Sequence, residues 1–276
     1  MPVIFYLFCS TAMAWFCLPG PRVWMGMFVL TIAWAVVASY ITLFGLLFIM
    51  VMSAVGCAAL QTTGARRQLL MMLTGLIGLL LAMHKLPGFT DIALPELSVF
   101  TGTESKPFYL HLDKAIAGLV MLAVFCRDDA SRRGAIWRNP GLWRLILTSL
   151  TGVFIIAVGI GLTLPQWKWS ASAWAFLGVN LFFTCLAEEA FFRGGVQQGL
   201  LSLLPKHRWF CIGIAALLFG LAHAWGGWRL IVVATLAGVG YGRIYERSGA
   251  IAMAIILHFL VNAIHFVGFV YPAISY

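Results

Sequence analysis

The run Ala171-Ser-Ala-Trp-Ala-Phe-Leu-Gly-Val-Asn-Leu-Phe-Phe-Thr-Cys-Leu-Ala-Glu-Glu-Ala-Phe-Phe-Arg-Gly-Gly-Val-Gln-Gln-Gly-Leu-Leu-Ser-Leu-Leu204 decides how the chain is read. It is apolar enough to cross a bilayer, which takes roughly 20 such residues, yet it holds Glu188, Glu189 and Arg193. A charge at the bilayer centre costs about 2.5–3.5 kcal/mol on insertion scales, so each of the three needs a partner or a purpose. Beyond Arg193 the pattern stays helical and amphipathic through Gln197 and Gln198 to Leu204. One long helix over about 171–204 is predicted, with Glu188 roughly 24 Å from its cytoplasmic end at ~1.5 Å per residue.

The rest of the chain has the same character. Of 276 residues, 62% are hydrophobic and 10% charged. A soluble domain is nearer ~45–50% apolar and ~25% charged, so an ordinary cytosolic globule and a disordered chain are excluded. Cys9, Cys17, Cys57, Cys126, Cys185 and Cys211 lie in or beside apolar runs without a CxxC pair, which excludes a disulfide scaffold or zinc knuckle. Ten apolar runs follow one another: 3–19, 23–40, 42–60, 69–84, 114–126, 142–163, 171–203, 209–226, 228–245 and 249–271. The reading is an all-α polytopic membrane protein with about eight to ten transmembrane helices. Residues 1–126 are read as scaffold, 127–141 as a basic connector and 142–276 as the membrane domain in which the polar residues inside spans are concentrated.

The net charge of +9 is a topology signal and implies no nucleic-acid partner. Ten alternating spans put Arg66 and Arg67, the arginines of 127–144, Lys206 with Arg208, and Arg243 with Arg247 on one side, the cytoplasmic one. The 85–113 loop and both termini then face outward. Trp24, Trp137, Trp143, Trp167, Trp169, Trp209, Trp225 and Trp228 sit near span ends, as an interfacial belt requires.

Two further spans carry polar groups. His223 is about 21 Å into the span that starts at 209, and His258 about 14 Å into the one that starts at 249. Glu188, His223 and His258 are therefore expected at broadly similar depths. On an α-helix Glu189 and Arg193 share a face and pair as a structural support. Glu188 lies about 100° around the helix with Asn180 and Thr184, free to titrate. His258 and Asn262 share a face at i,i+4, and Phe219 precedes His223 by one turn, placed to orient its ring. His84, His111, His207 and His265 have no companion motif and are read as structural or interfacial.

A Glu and a His can deprotonate a water together, and His258 with Asn262 can hold an oxyanion. That is direct hydrolysis of a peptide bond in a membrane peptide or protein. A second version places zinc on Glu188, His223 and His258, a His2Glu ligand set. The metal-free version, without any cofactor, is favoured because it gives Asn262 a role and no HExxH is present. GxSxG and GxGD are absent as well. The other class is a polytopic transporter or bacteriocin-immunity scaffold with a Glu/Arg/His proton relay. Transporters often show repeated halves, whereas here the polar residues gather in one half.

Glu188-Glu189-Ala-Phe-Phe-Arg193-Gly, Phe219-x-x-x-His223 and His258-x-x-x-Asn262 resemble, in order and rough spacing, the three signature motifs of the CPBP family of CAAX proteases and bacteriocin-processing enzymes. Ras-converting CAAX prenyl endopeptidases are related to that family. The resemblance covers about 142–271, and Leu86-Pro-Gly-Phe89 through Ser105-Lys-Pro-Phe108 to Asp113-Lys114 is similar to a bacterial branch. It implies a glutamate-dependent intramembrane endopeptidase. Glu188 and His223 would activate water, His258 and Asn262 would hold the oxyanion, and the setting would be a bacterial plasma membrane. Cysteines introduced near Arg66, Arg132 and His207 should react with an impermeant thiol reagent only from the cytoplasmic side. One near Phe100 should react only from outside; the reverse pattern would overturn this topology.

Overall fold

The computed structural model describes residues 1–18, 21–94, 108–126, 139–169 and 173–270. The connector arginines 127, 132, 133 and 138, together with Glu96, Glu104, Lys106 and Trp137, lie outside the described residues.

Each of the ten apolar runs contains a helix. In order they are α1 Val3–Cys17, α2 Pro21–Val37, α3 Leu43–Leu60, α4 Gly64–Ala82, α5 Leu112–Phe125, α6 Pro140–Gly159, the run Ala173–Leu203, α10 Arg208–Leu221, α11 Gly227–Ser248 and α12 Ile251–Gly268. Strands β1 Ile92–Leu94 and β2 Phe108–Leu110 make one small antiparallel pair. Among the described residues, five helices are long and apolar enough to cross a membrane by themselves, and six if the bent pair α10–α11 counts as one span. Large apolar side chains on the outside, such as Leu43 at 80% and Met72 at 72% exposure, have no aqueous rationale. The chain is an integral membrane protein.

Two compact units divide the residues, and each is taken by itself. The first comprises Met1–Leu97, Ser105–Ala130 and Gly178–Phe191. Its centre is α5. Eleven of the fourteen residues of α5 are buried, so this run, read from sequence as a short span, is a core helix. Small residues let its neighbours approach, as between membrane helices generally. A Cβ on Gly56 would lie 2.6 Å from Val124 Cγ2, and one on Gly78 2.8 Å from Met121 Sδ. A Cβ on Gly118 would lie 2.6 Å from Ala187 Cα, a backbone atom. The hydroxyls of Thr11 and Thr31, 2.9 Å apart, join α1 to α2.

The second unit comprises Ser98–Glu104, Ser131–Leu177 and Phe192–Tyr276. Asn139 caps α6 by accepting the Gly141 amide at 2.9 Å, with Pro140 at the first helical position. Helices α10 and α11 pack antiparallel: Gly220 meets Ile231 and Thr235, Gly238 meets Ala216, and Gly242 meets Ile212. The expected straight span 209–226 therefore ends at Leu221, and His223 sits in the turn of a hairpin. Gly249, at φ 63°, ends α11 in the left-handed conformation that favours glycine.

The run Ala173–Leu203 matches the predicted long helix but is not regular. Asn180–Cys185 and Ala190–Gln197 are π-helical, on either side of the short α-turn α8 Leu186–Glu189; α7 Ala173–Val179 and α9 Gln198–Leu203 flank them. The Cys185 thiol donates to Asn180 Oδ1 at 3.2 Å, a contact at i,i+5 that only the wider turn allows. The face assignments drawn from a 3.6-residue period are thereby displaced.

Gly118→Val should lower the yield of folded protein sharply, because overpacking against a fixed backbone costs about 1–3 kcal/mol. Gly152→Ala, where a Cβ meets nothing within 4 Å, should not. Fluorescence-detected size-exclusion chromatography in detergent checks both.

Candidate active site

Glu188 belongs to the first unit. Its Oε1 accepts a hydrogen bond from Lys114 Nζ at 2.7 Å, with 17% of the Glu188 side chain and 21% of the Lys114 side chain exposed. The expectation of an uncommitted Glu188 is therefore corrected: it has an ammonium partner. The cause is the close approach of α5. Lys114 lies one turn before Gly118 on the same face, and Gly118 rests on Ala187, the residue before Glu188. Asp113 supports that end of α5. One of its oxygens accepts the Lys114 amide at 2.7 Å, and the other accepts His84 Nδ1 at 2.7 Å. A cavity of about 360 Å³ is lined by Lys114, His84, His111, Tyr109, Phe183 and Thr184 among others.

The histidines and Arg193 belong to the second unit. His223 Nδ1 lies 2.8 Å from the Phe219 carbonyl oxygen. A carbonyl only accepts, so Nδ1 carries the proton and Nε2 is the lone-pair nitrogen of the neutral ring. The Phe219 ring packs against His223 with centroids 4.6 Å apart, and meets His258 edge-on at 5.4 Å. Tyr241 stacks on His258 at 4.7 Å and meets Phe219 edge-on at 5.7 Å. His258 is 2% exposed, while His223 and Asn262 are half-buried.

Arg193 is fully buried. Its guanidinium donates to the Gly238 carbonyl at 3.3 Å and lies over the Phe219 ring at 5.1 Å and the Tyr241 ring at 5.5 Å. Phe219 thus joins His223, His258 and Arg193. One turn on, Gln197 donates to the Gly242 carbonyl at 3.0 Å. Glu189, in the first unit, is also fully buried.

Sequence reasoning missed Lys114 and Tyr241. The Asp113-Lys114 dipeptide at the mouth of the run 114–126 was the available signal for the first, but nothing in the sequence pairs Lys114 with Glu188. Tyr241 stands among Gly238, Gly240 and Gly242, where helices approach closely, but periodicity alone does not name its neighbour.

Residues 169–264 match the family model described as type II CAAX prenyl endopeptidase Rce1-like, so over this segment the chain carries a domain of the CAAX protease and CPBP family. That family is one of CAAX-type intramembrane proteases. No curated protein and no solved structure gives a match.

Lys114→Met should destabilise the protein by up to about 3–5 kcal/mol, since it removes an ammonium that is paired with a largely buried carboxylate. Lys114→Met with Glu188→Gln should recover part of that loss. Thermal unfolding of the single and double variants in detergent measures the difference, and equal melting temperatures would remove the ion pair from the account.

Proposed function

We propose that the protein is a glutamate-dependent intramembrane endopeptidase that hydrolyses a peptide bond in a membrane-associated peptide or protein of a bacterial plasma membrane. Glu188 and His223 activate the water, and His258 with Asn262 holds the oxyanion. The observation that carries this reading is the Phe219 carbonyl on His223 Nδ1, 2.8 Å away, which presents Nε2 as a base. The Lys114 ammonium, 2.7 Å from Glu188 Oε1, is the counter-charge of that carboxylate. A carboxylate has about four lone-pair sites, so acceptance from Lys114 does not by itself exclude a water. That Glu188 of one unit and His223 of the other share that water is the content of the proposal.

In the reaction the water oxygen bonds to the scissile carbonyl carbon while its proton passes to the Glu188–His223 pair. The carbonyl oxygen gains the charge that His258 and Asn262 would stabilise by donating hydrogen bonds. Collapse of this intermediate breaks the C–N bond, and the proton held by the base goes to the leaving amine. The Phe219 and Tyr241 rings fix the His258 plane, which is the preorganisation such a donor needs. The buried Glu189 and Arg193 are assigned as an ion pair holding the helix.

Zinc on Glu188, His223 and His258 fits this donor set poorly. The Glu188 carboxylate already has an ammonium 2.7 Å from one of its oxygens, and a second cation there meets like-charge repulsion. Activity is therefore expected to survive exhaustive dialysis against a strong chelator. Asn262→Ala and His258→Ala should each lower kcat about 10²–10³-fold while leaving residual turnover. Cleavage of a fluorogenic CAAX-type or transmembrane peptide by detergent-purified protein measures this. Chelator-sensitive activity restored by stoichiometric zinc, with zinc uptake lost in His258→Ala and kept in His84→Ala, would refute the metal-free mechanism.

A further inference from the structure

We propose that His84, Asp91 and His111 form a divalent-metal site, with zinc the ion its donors fit best. None of the three belongs to the proposed catalytic set, and all lie in the first unit. One donor atom from each lies within 4.8 Å of the other two. The two imidazole centroids are 4.3 Å apart, tilted by 39°. Zinc takes histidine nitrogens at about 2.0–2.1 Å and carboxylate oxygens at about 2.0–2.2 Å, which puts tetrahedral donors about 3.4 Å apart. Small side-chain rotations close that difference.

The support around these donors is that of a metal site. His84 Nδ1 donates to Asp113 Oδ2 at 2.7 Å, and the Asp113 side chain is only 5% exposed. This fixes the tautomer with the lone pair on Nε2; a ligating histidine almost always gives its other ring N–H to such an acceptor. His84 is also one of two described non-glycine residues with positive φ, at 55°, a conformation that costs energy and turns the residue out of the end of α4. Asp91 and His111 are brought together by strand register. Ile92 pairs with Leu110, so the next position outward sets Asp91 opposite His111. Asp91 Oδ1 and His111 Nδ1 are 2.9 Å apart. The turn before Asp91 is itself fixed, because the Thr90 amide donates to the Tyr40 carbonyl at 3.0 Å and Gly88 packs against Gly45.

Two separate His–Asp hydrogen bonds would account for each short distance singly. A shared cation accounts also for the convergence of two imidazoles from different elements. The cavity of about 360 Å³ that borders both histidines leaves a fourth coordination position open to water or a ligand. Bound metal would tie the end of α4 to the strand pair and to the residue that caps α5. It would thereby fix the turn that carries Lys114.

The test is isothermal titration calorimetry of zinc chloride into the full chain, purified in detergent and stripped with a chelator that is then dialysed away. One zinc per chain at micromolar affinity or tighter is expected. His84→Ala and His111→Ala should abolish this binding, and Asp113→Asn should weaken it about 10–100-fold. Asp91→Asn, at a side chain 55% exposed, should fold normally and still lose affinity. Zinc should raise the melting temperature of the unsubstituted protein but not that of the His84→Ala or Asp91→Asn variants. No stoichiometric uptake, or uptake unchanged in both histidine variants, would overturn the site. So would binding that survives His84→Ala but is lost in Glu188→Gln or His258→Ala.

Discussion

An ionised carboxylate in an apolar helix needs a counter-charge, and Lys114 supplies it to Glu188 at 2.7 Å. Much of the first unit follows from this contact. Lys114 reaches Glu188 because α5 lies directly on the backbone of α8, and α5 can lie there because residue 118 has no side chain. The same helix is nearly enclosed by α3 and α4 through Gly56 and Gly78. A fourteen-residue helix that could not cross a bilayer alone becomes the post against which the charged turn is braced. Glu188→Gln is consequently not a silent replacement, since it leaves an ammonium with a weaker partner, and activity has to be expressed per folded molecule.

In the second unit the organising contact is Phe219. Its carbonyl sets the His223 tautomer, its ring packs on His223 and His258, and its face takes the buried Arg193 guanidinium. Cation–π contact of a desolvated guanidinium contributes about 2 kcal/mol, so one aromatic residue positions both imidazoles and accommodates a charge. The α10–α11 hairpin makes this possible by ending α10 just before His223, which frees the imidazole from a continuous helical wall. Exposed Trp225 and Trp228 flank that turn.

The helices were legible because an apolar run long enough to fold as a helix leaves a mark in composition whatever it packs against. Glu188, His223 and His258 stand out as candidates because charge and imidazole are rare against such a background. Four features were not legible. The π-turns of Asn180–Cys185 and Ala190–Gln197 arise from packing, and a 3.6-residue period does not report them. The hairpin turn at His223 has apolar residues on both sides, so the run 209–226 read as one span. The Lys114 partnership joins residues 74 positions apart, a separation that periodicity cannot bridge. His84, Asp91 and His111 were passed over for the same reason, since only strand register and the end of α4 bring them together.

The proposed activity depends on Glu188 as the group that activates water. The most direct measurement is the rate of peptide-bond cleavage, followed by mass spectrometry, for equal amounts of monodisperse protein with and without Glu188→Gln. The account predicts that the folded Glu188→Gln protein releases no product above the uncatalysed background. Cleavage at a rate near that of the unsubstituted protein would contradict it.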